Sequence, residues 1–292
     1  MFNNAVVYTK GLNLTMKKLM KNITTVSIAT LAALLPNLSS AAETTNENNL
    51  LGYAVAWKQT AAEYRALYYQ GFNVAKMHID KALSEHKKGD KPLAIVTDLD
   101  DTLVLPLEYW GHLIKHNKDF FEDPIWDEWV PTNGMIPSFG ASDFLEYVNS
   151  KNVDIFYVTS RNQGAPTWEL AKQNILAMGF PLKDDSHLTV LMDTSNKETR
   201  QKEILKGYNV IVFLGDNLND FKRKYYIKGD VDGRIAKMEE DKELYGSKYI
   251  LFPNPTDGHW IAAIFGDSEP LQSKENREVL INAATKSAWD GN

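Results

Sequence analysis

The chain has no cysteine. That excludes disulfides, thiolate metal sites, a cysteine nucleophile and a lipid anchor on an amino-terminal cysteine. It has no Gly-x-x-x-x-Gly-Lys loop of the kind that cradles nucleoside triphosphates. Its six histidines are scattered and none sits in an Arg-His-Gly sequence, which argues against a histidine nucleophile. His259 reads as structural. Positive charge is in short supply, with 32 basic against 38 acidic residues. No internal repeat is present.

The amino terminus resembles an export signal. Lys17, Lys18 and Lys21 form a basic region, and Val26 to Leu35 is apolar apart from Ser27 and Thr30. Ser39-Ser40-Ala41-Ala42 offers small residues for cleavage after Ala41 or Ala42. The apolar run is too short to span a bilayer comfortably. The expected location is therefore exported, periplasmic or secreted. Removing residues 1–42 removes four lysines and no acids, leaving 28 basic and 38 acidic residues and a net charge of −10. Such a chain is not expected to bind a nucleic-acid polymer. An anionic substrate would need local positive charge inside a cleft.

After a polar leader at 43–49, apolar residues recur at helical spacing from Ala54 to about Glu85, for example Trp57, Ala61, Tyr64, Leu67 and Tyr68. One long helix or two shorter ones fit. His86 to Pro92 breaks the pattern. Strands are predicted at 93–97, 153–159, 188–192, 210–214 and 249–252. Helices are expected over residues 139–150, Pro166 to Met178 (ended by Gly179) and Lys197 to Leu205. This alternation predicts an α/β fold with a doubly wound, mostly parallel five-stranded sheet. The expected divisions are a signal peptide at 1–42, a helical segment at 43–92, a core at 93–266 and a polar tail at 267–292. Insertions interrupt the core at 104–138 and 221–247. The first is rich in aromatic rings and is the better lid, because it leaves the sheet directly after an acidic cluster. Most of its rings are expected in packing, with one or two facing the cleft.

That cluster, Asp98-Leu99-Asp100-Asp101-Thr102, follows the apolar run Leu93 to Val96. A second, Gly215-Asp216-Asn217-Leu218-Asn219-Asp220, follows Val210 to Leu214. Carboxylates crowded at strand ends repel one another unless a cation or proton lies among them, and magnesium suits an all-oxygen set. Open α/β sheets bind ligands at this carboxyl edge. The i, i+2 spacing sends Asp98 and Asp100 to one side of an extended strand end. One carboxylate can attack phosphorus while the other, protonated, serves the leaving group. Thr159 ends the second strand and is followed by Ser160 and Arg161, and Lys197 opens a later helix. Alone, each is an ordinary turn residue or surface charge. Beside two acidic strand ends they become candidates for holding a phosphoryl group. Tyr109, Trp110 and Trp126 are candidates to stack on a flat leaving group, although packing is the default for any single ring.

The order Asp-x-Asp-x-Thr, strand-end Thr, Lys and Gly-Asp-x-x-x-Asp resembles the haloacid dehalogenase-like phosphatases, and more closely the class C bacterial acid phosphatases. Further matching segments are Trp126-Asp127-Glu128-Trp129, Tyr157 to Arg161 and Pro253-Asn254-Pro255-Thr256-Asp257-Gly258-His259-Trp260. The resemblance runs from about Leu51 to Gly266. It implies a mainly helical cap on the sheet and a magnesium-dependent acid phosphatase acting on small phosphomonoesters, nucleoside monophosphates among them. It implies Asp98 as nucleophile, Asp100 as general acid and base, and Thr159 and Lys197 as phosphoryl contacts. Metal ligands would be Asp98, the Asp100 carbonyl, Asp216 and Asp220, the last either through water or serving instead to orient Lys197. A homodimer is the family expectation. One departure is Asp101, where relatives usually carry Glu; the shorter side chain is expected to alter a lid contact. Phosphoryl transfer to an acceptor alcohol, or metal or nucleotide binding without turnover, are the alternative functions.

Overall fold

The computed structural model describes residues 49–291. The export segment 1–42 and nearly all of the polar leader lie outside them. Two helices open the fold, α1 (Gly52–Thr60) and α2 (Ala62–Glu85), separated at Ala61, whose backbone is extended. The core follows as β1 (Leu93–Thr97), β2 (Val104–Leu105), α3 (Leu107–Lys115), α4 (Asp123–Trp129), β3 (Ile136–Pro137) and α5 (Ala141–Ser150). Next come β4 (Asp154–Ser160), α6 (Thr167–Ala177), β5 (Leu188–Leu191), α7 (Lys197–Gly207) and β6 (Asn209–Gly215). The chain ends through α8 (Val231–Glu239), β7 (Tyr249–Leu251), α9 (His259–Phe265) and α10 (Lys274–Ala284). Gly179, with φ of 71°, takes the left-handed turn that ends α6.

The main sheet has the order β5-β4-β1-β6-β7, and every pairing in it is parallel. Both faces are covered, which is why its strands read as continuous apolar runs. Leu93 and Ile95 of β1 pack on the side of α2 and α5, with Tyr64, Tyr68, Phe72 and Phe144. Ala94 and Val96 point the other way, toward Ile204 of α7, Phe221 and Tyr225. The alternation is the period of two expected of a strand. The amino-terminal helices are therefore one layer of the fold. Leu67 departs from the sequence expectation: it is 40% exposed, while Tyr64, Tyr68, Phe72, Ala75 and Ile79 form the buried stripe.

This order places the carboxyl ends of β1 and β6 side by side, with Thr97 opposite Leu214. The end of β4 lies on the other side of β1, and β5 lies beyond it, delivering the start of α7. The first insertion forms α3, α4 and the small antiparallel pair β2–β3. The second supplies α8 and two short turns. The tail carries the surface helix α10, tied to the core where Gln272 donates to the Asn117 carbonyl at 2.8 Å. Among the described residues, no helix is long and apolar enough to cross a membrane.

Candidate active site

Asp98 follows β1 directly, and its backbone N–H donates to the Leu214 carbonyl at 2.9 Å, so the sheet itself fixes its position. Asp216 and Asp220 come from the loop after β6. Asp98, Asp216 and Asp220 each bring a carboxylate oxygen within 4.8 Å of the others. Gly215 makes this approach possible, because a Cβ there would lie 2.5 Å from the Asp220 side chain. Asp220 is held in turn by the Asn217 N–H, which donates to its Oδ2 at 2.9 Å.

Lys197, the first residue of α7, reaches into this cluster. Its ammonium donates to Asp98 and, at 2.7 Å, to Asp220 Oδ1. Burial opposes its charge, but Asp220 and Asp98 outweigh burial and hold its pKa above the usual lysine value. Burial pushes the Asp98 carboxyl up to about 6; Lys197 opposes this, and Asp220 and Asp100 add to it. Asp216 is also raised, first by burial and then by Asp220, Asp98 and Asp101. Its hydrogen-bond donors are neutral: Thr102 Oγ1 at 3.1 Å and Asn254 Nδ2 at 2.8 Å.

The charges can be followed pair by pair. Arg161 holds Asp100, Lys58 of α1 holds Asp101, and Lys197 lies between Asp98 and Asp220. Asp98, Asp216 and Asp220 themselves face the one ammonium of Lys197, a deficit equal to the charge of one divalent ion. Its all-oxygen donor set suits magnesium chemistry. The residues present fit such an ion.

Above this floor lies a cavity of about 670 Å³. Its wall includes Thr159, Ser160, Arg161, Lys197, Trp110 and Trp126. Ser160 Oγ and Asn219 Nδ2 are buried there without a hydrogen-bond partner. Buried polar atoms of that kind call for a ligand or water to satisfy them. The structure thus brings Asp98, Asp100, Asp216, Asp220, Thr159, Ser160 and Lys197 to one place.

Two sequence expectations need correction. Arg161 does not stand free to hold phosphate: its Nε and Nη2 each donate to Asp100 at 2.7 Å, and Nη1 donates to Asn174 at 2.6 Å. Tyr109 is not on the cavity wall. It is fully buried, its hydroxyl joins the Glu122 backbone, and its ring packs edge-on to Trp126 at 5.1 Å. Asp101 adopts a left-handed φ of 52° and pairs with Lys58 beneath the site, with the Trp110 indole of the first insertion also beside its carboxylate.

Several residues of the site were not singled out from sequence. His259, read as structural, lines the cavity beside Tyr226, and burial depresses its imidazole to about 4. Asp257, Arg223 and Asn219 also face the cavity. Burial raises the Asp257 carboxyl to about 6. Glu269, from the polar tail, is pushed up to about 7 by burial and by its hydrogen bond to Asp123. The one available signal for Lys58 was its place on the apolar stripe of α1, where a lysine is out of character.

A family model described as HAD superfamily, subfamily IIIB (acid phosphatase), matches residues 14–260. A crystal structure of a class C acid phosphatase from Bacillus anthracis with tungstate bound is 30% identical, with a TM-score of 0.71, over 81% of this chain and 97% of that one. A second structure of the class C acid phosphatase from Bacillus anthracis matches at 30% identity and a TM-score of 0.72, over 80% of this chain and 96% of that one.

Proposed function

The chain belongs to the acid phosphatases of HAD subfamily IIIB and is a phosphomonoester hydrolase, and on that premise we propose that it works through a phosphoryl group carried on Asp98. The observation that carries this reading is the meeting of Asp98, Asp216 and Asp220 around Lys197 at the floor of an open cavity.

An Asp98 carboxylate oxygen attacks phosphorus as the ester oxygen departs. Asp100, in its protonated form and held by Arg161 above the same floor, gives the departing alcohol its proton and is left as the carboxylate. Asp100 then takes a proton from water, whose oxygen attacks phosphorus and releases Asp98 and inorganic phosphate. Lys197 offers an ammonium, and Thr159 and Ser160 offer hydroxyls, to the phosphoryl oxygens. Magnesium bound by Asp98, Asp216, Asp220 and the Asp100 carbonyl would supply the missing positive charge and orient the phosphoryl oxygens. Tungstate in the Bacillus anthracis structure supports the same use of the cavity here, since it is an oxyanion with the shape of phosphate.

The leaving group would lie toward Phe121 and Trp126 on the cavity wall. Aromatic faces favour flat leaving groups, which fits nucleoside monophosphates among the substrates. The basic and apolar pattern of residues 17–42 supports action outside the cytoplasm. The experiment is hydrolysis of a chromogenic phosphomonoester at acid pH with and without chelator, followed by a panel of nucleotides and sugar phosphates. Full activity in chelator would reject the magnesium role, and indifference to the leaving group would reject the aromatic subsite.

A further inference from the structure

Beneath the floor of the site lies a polar chain that the reaction does not itself require. It begins at Lys58, which is 1% exposed although it stands on α1, far from the sheet edge in sequence. The Lys58 ammonium donates to Asp101 Oδ1 at 2.6 Å, to Thr256 Oγ1 at 2.8 Å and to Asn254 Oδ1 at 3.5 Å. Asn254 Oδ1 also accepts from Thr256 Oγ1 at 2.8 Å and from the backbone N–H groups of Thr256 and Asp257 at 3.2 and 3.3 Å. With its oxygen so engaged, the amide can turn only its nitrogen to the other side. That nitrogen donates to Asp101 Oδ2 at 3.2 Å and to Asp216 Oδ2 at 2.8 Å.

We infer that Lys58 is a positioning residue for the metal ligand Asp216, acting through Asp101 and Asn254. The inference rests on the reading of Asp216 as a ligand. Two carboxylates, Asp101 and Asp216, share one amide. Lys58 neutralises the first and pins the amide oxygen, so that the amide nitrogen holds Asp216 in a single orientation with its other oxygen on Thr102 Oγ1. Without the ammonium, Asp101 is a buried charge left with the shared amide and the Trp110 indole beside it, and it competes with Asp216 for the amide donor. Outer partners of metal ligands commonly carry tenfold or more of the affinity for the ion. The amino-terminal helical layer would thereby set the quality of the metal site on the far side of the sheet edge.

The test is calorimetric titration of magnesium into the full chain after chelation, for the unaltered protein, Lys58→Met, Asn254→Ala and the double variant. Lys58→Met should weaken magnesium binding by about tenfold. The double variant should bind no more weakly than Asn254→Ala alone, because both changes break one chain. Unchanged affinity in Lys58→Met, or losses that simply multiply in the double variant, would overturn the inference. If Lys58→Met fails to fold, Lys58→Met with Asp101→Asn removes both opposite charges together. That pair should still bind magnesium at least about fivefold more weakly; affinity restored to that of the unaltered protein would show Lys58 to be only a charge partner. Turnover at saturating magnesium should recover toward the unaltered kcat, a recovery that general loss of structure would not give. Absence of magnesium binding by the unaltered chain would instead refute the metal reading itself, a result distinct from the others.

Discussion

Arg161 grips Asp100 with two parallel hydrogen bonds of 2.7 Å, Nε to one carboxylate oxygen and Nη2 to the other. A guanidinium fork fixes both the plane and the direction of a carboxylate, which a lysine does not. Arg161 is itself held by Asn174 and is 5% exposed. Asp100 is therefore aimed before any substrate arrives.

Arg161→Met should lower kcat by roughly 10²-fold for esters of ordinary alcohols, since general acid assistance is lost with the aim of its carboxyl. The loss should shrink for nitrophenyl esters, whose leaving groups need no proton. A leaving-group series measured for both proteins checks this; an equal loss across the series would place Arg161 on the phosphoryl group instead.

Asp98→Asn should keep the fold and lose at least about 10³-fold in turnover, because an amide is a poor nucleophile. Burial already disfavours the charge on Asp98, so the neutral amide fits its surroundings. Circular dichroism and initial rates on the same preparation decide the matter. Near-normal turnover in a folded variant would remove Asp98 from the reaction.

Magnesium should raise the melting temperature as well as support activity. An ion that binds only the folded chain adds about 2.7 kcal/mol when present at a hundred times its dissociation constant. Gly215→Ala should blunt this gain. Its new Cβ would lie 2.5 Å from Asp220, so the carboxylate or Lys197 must shift. Thermal melts with increasing magnesium, run on both proteins, are the measurement; an equal shift in both would contradict the placement of the ion beside Asp220.

His259 makes the fold sensitive to acid. Burial lowers its folded pKa from 6.5 to about 4, so the unfolded chain takes up a proton that the folded chain refuses. The contribution of this group to stability is whole above pH 6.5 and is lost as pH falls from there toward 4, by about 3 kcal/mol at most. His259→Asn should therefore narrow the difference in unfolding free energy between pH 7 and pH 4. Urea melts at the two values test the sign; an unchanged difference would mean that the imidazole is protonated in the fold.

The sequence by itself determined the five strands, the helices between them and the acids at two strand ends. These follow from local spacing: apolar runs such as Val210 to Leu214 make buried strands whatever lies far away, and carboxylates at their ends signal a cation. Tertiary structure decided which charge meets which. Lys58 and Asp101 are 43 positions apart, Arg161 and Asp100 61, and Lys197 and Asp98 99. Only the strand order β5-β4-β1-β6-β7 and the layer made by α1 and α2 bring those pairs together. The same holds for the rings. Tyr109 and Trp110 are adjacent on α3 and both are buried, yet Tyr109 packs among the rings of the insertion while Trp110 lies against Lys58 and Asp101 under the cavity, because a helix turns successive side chains through about 100° and its neighbours decide what each meets.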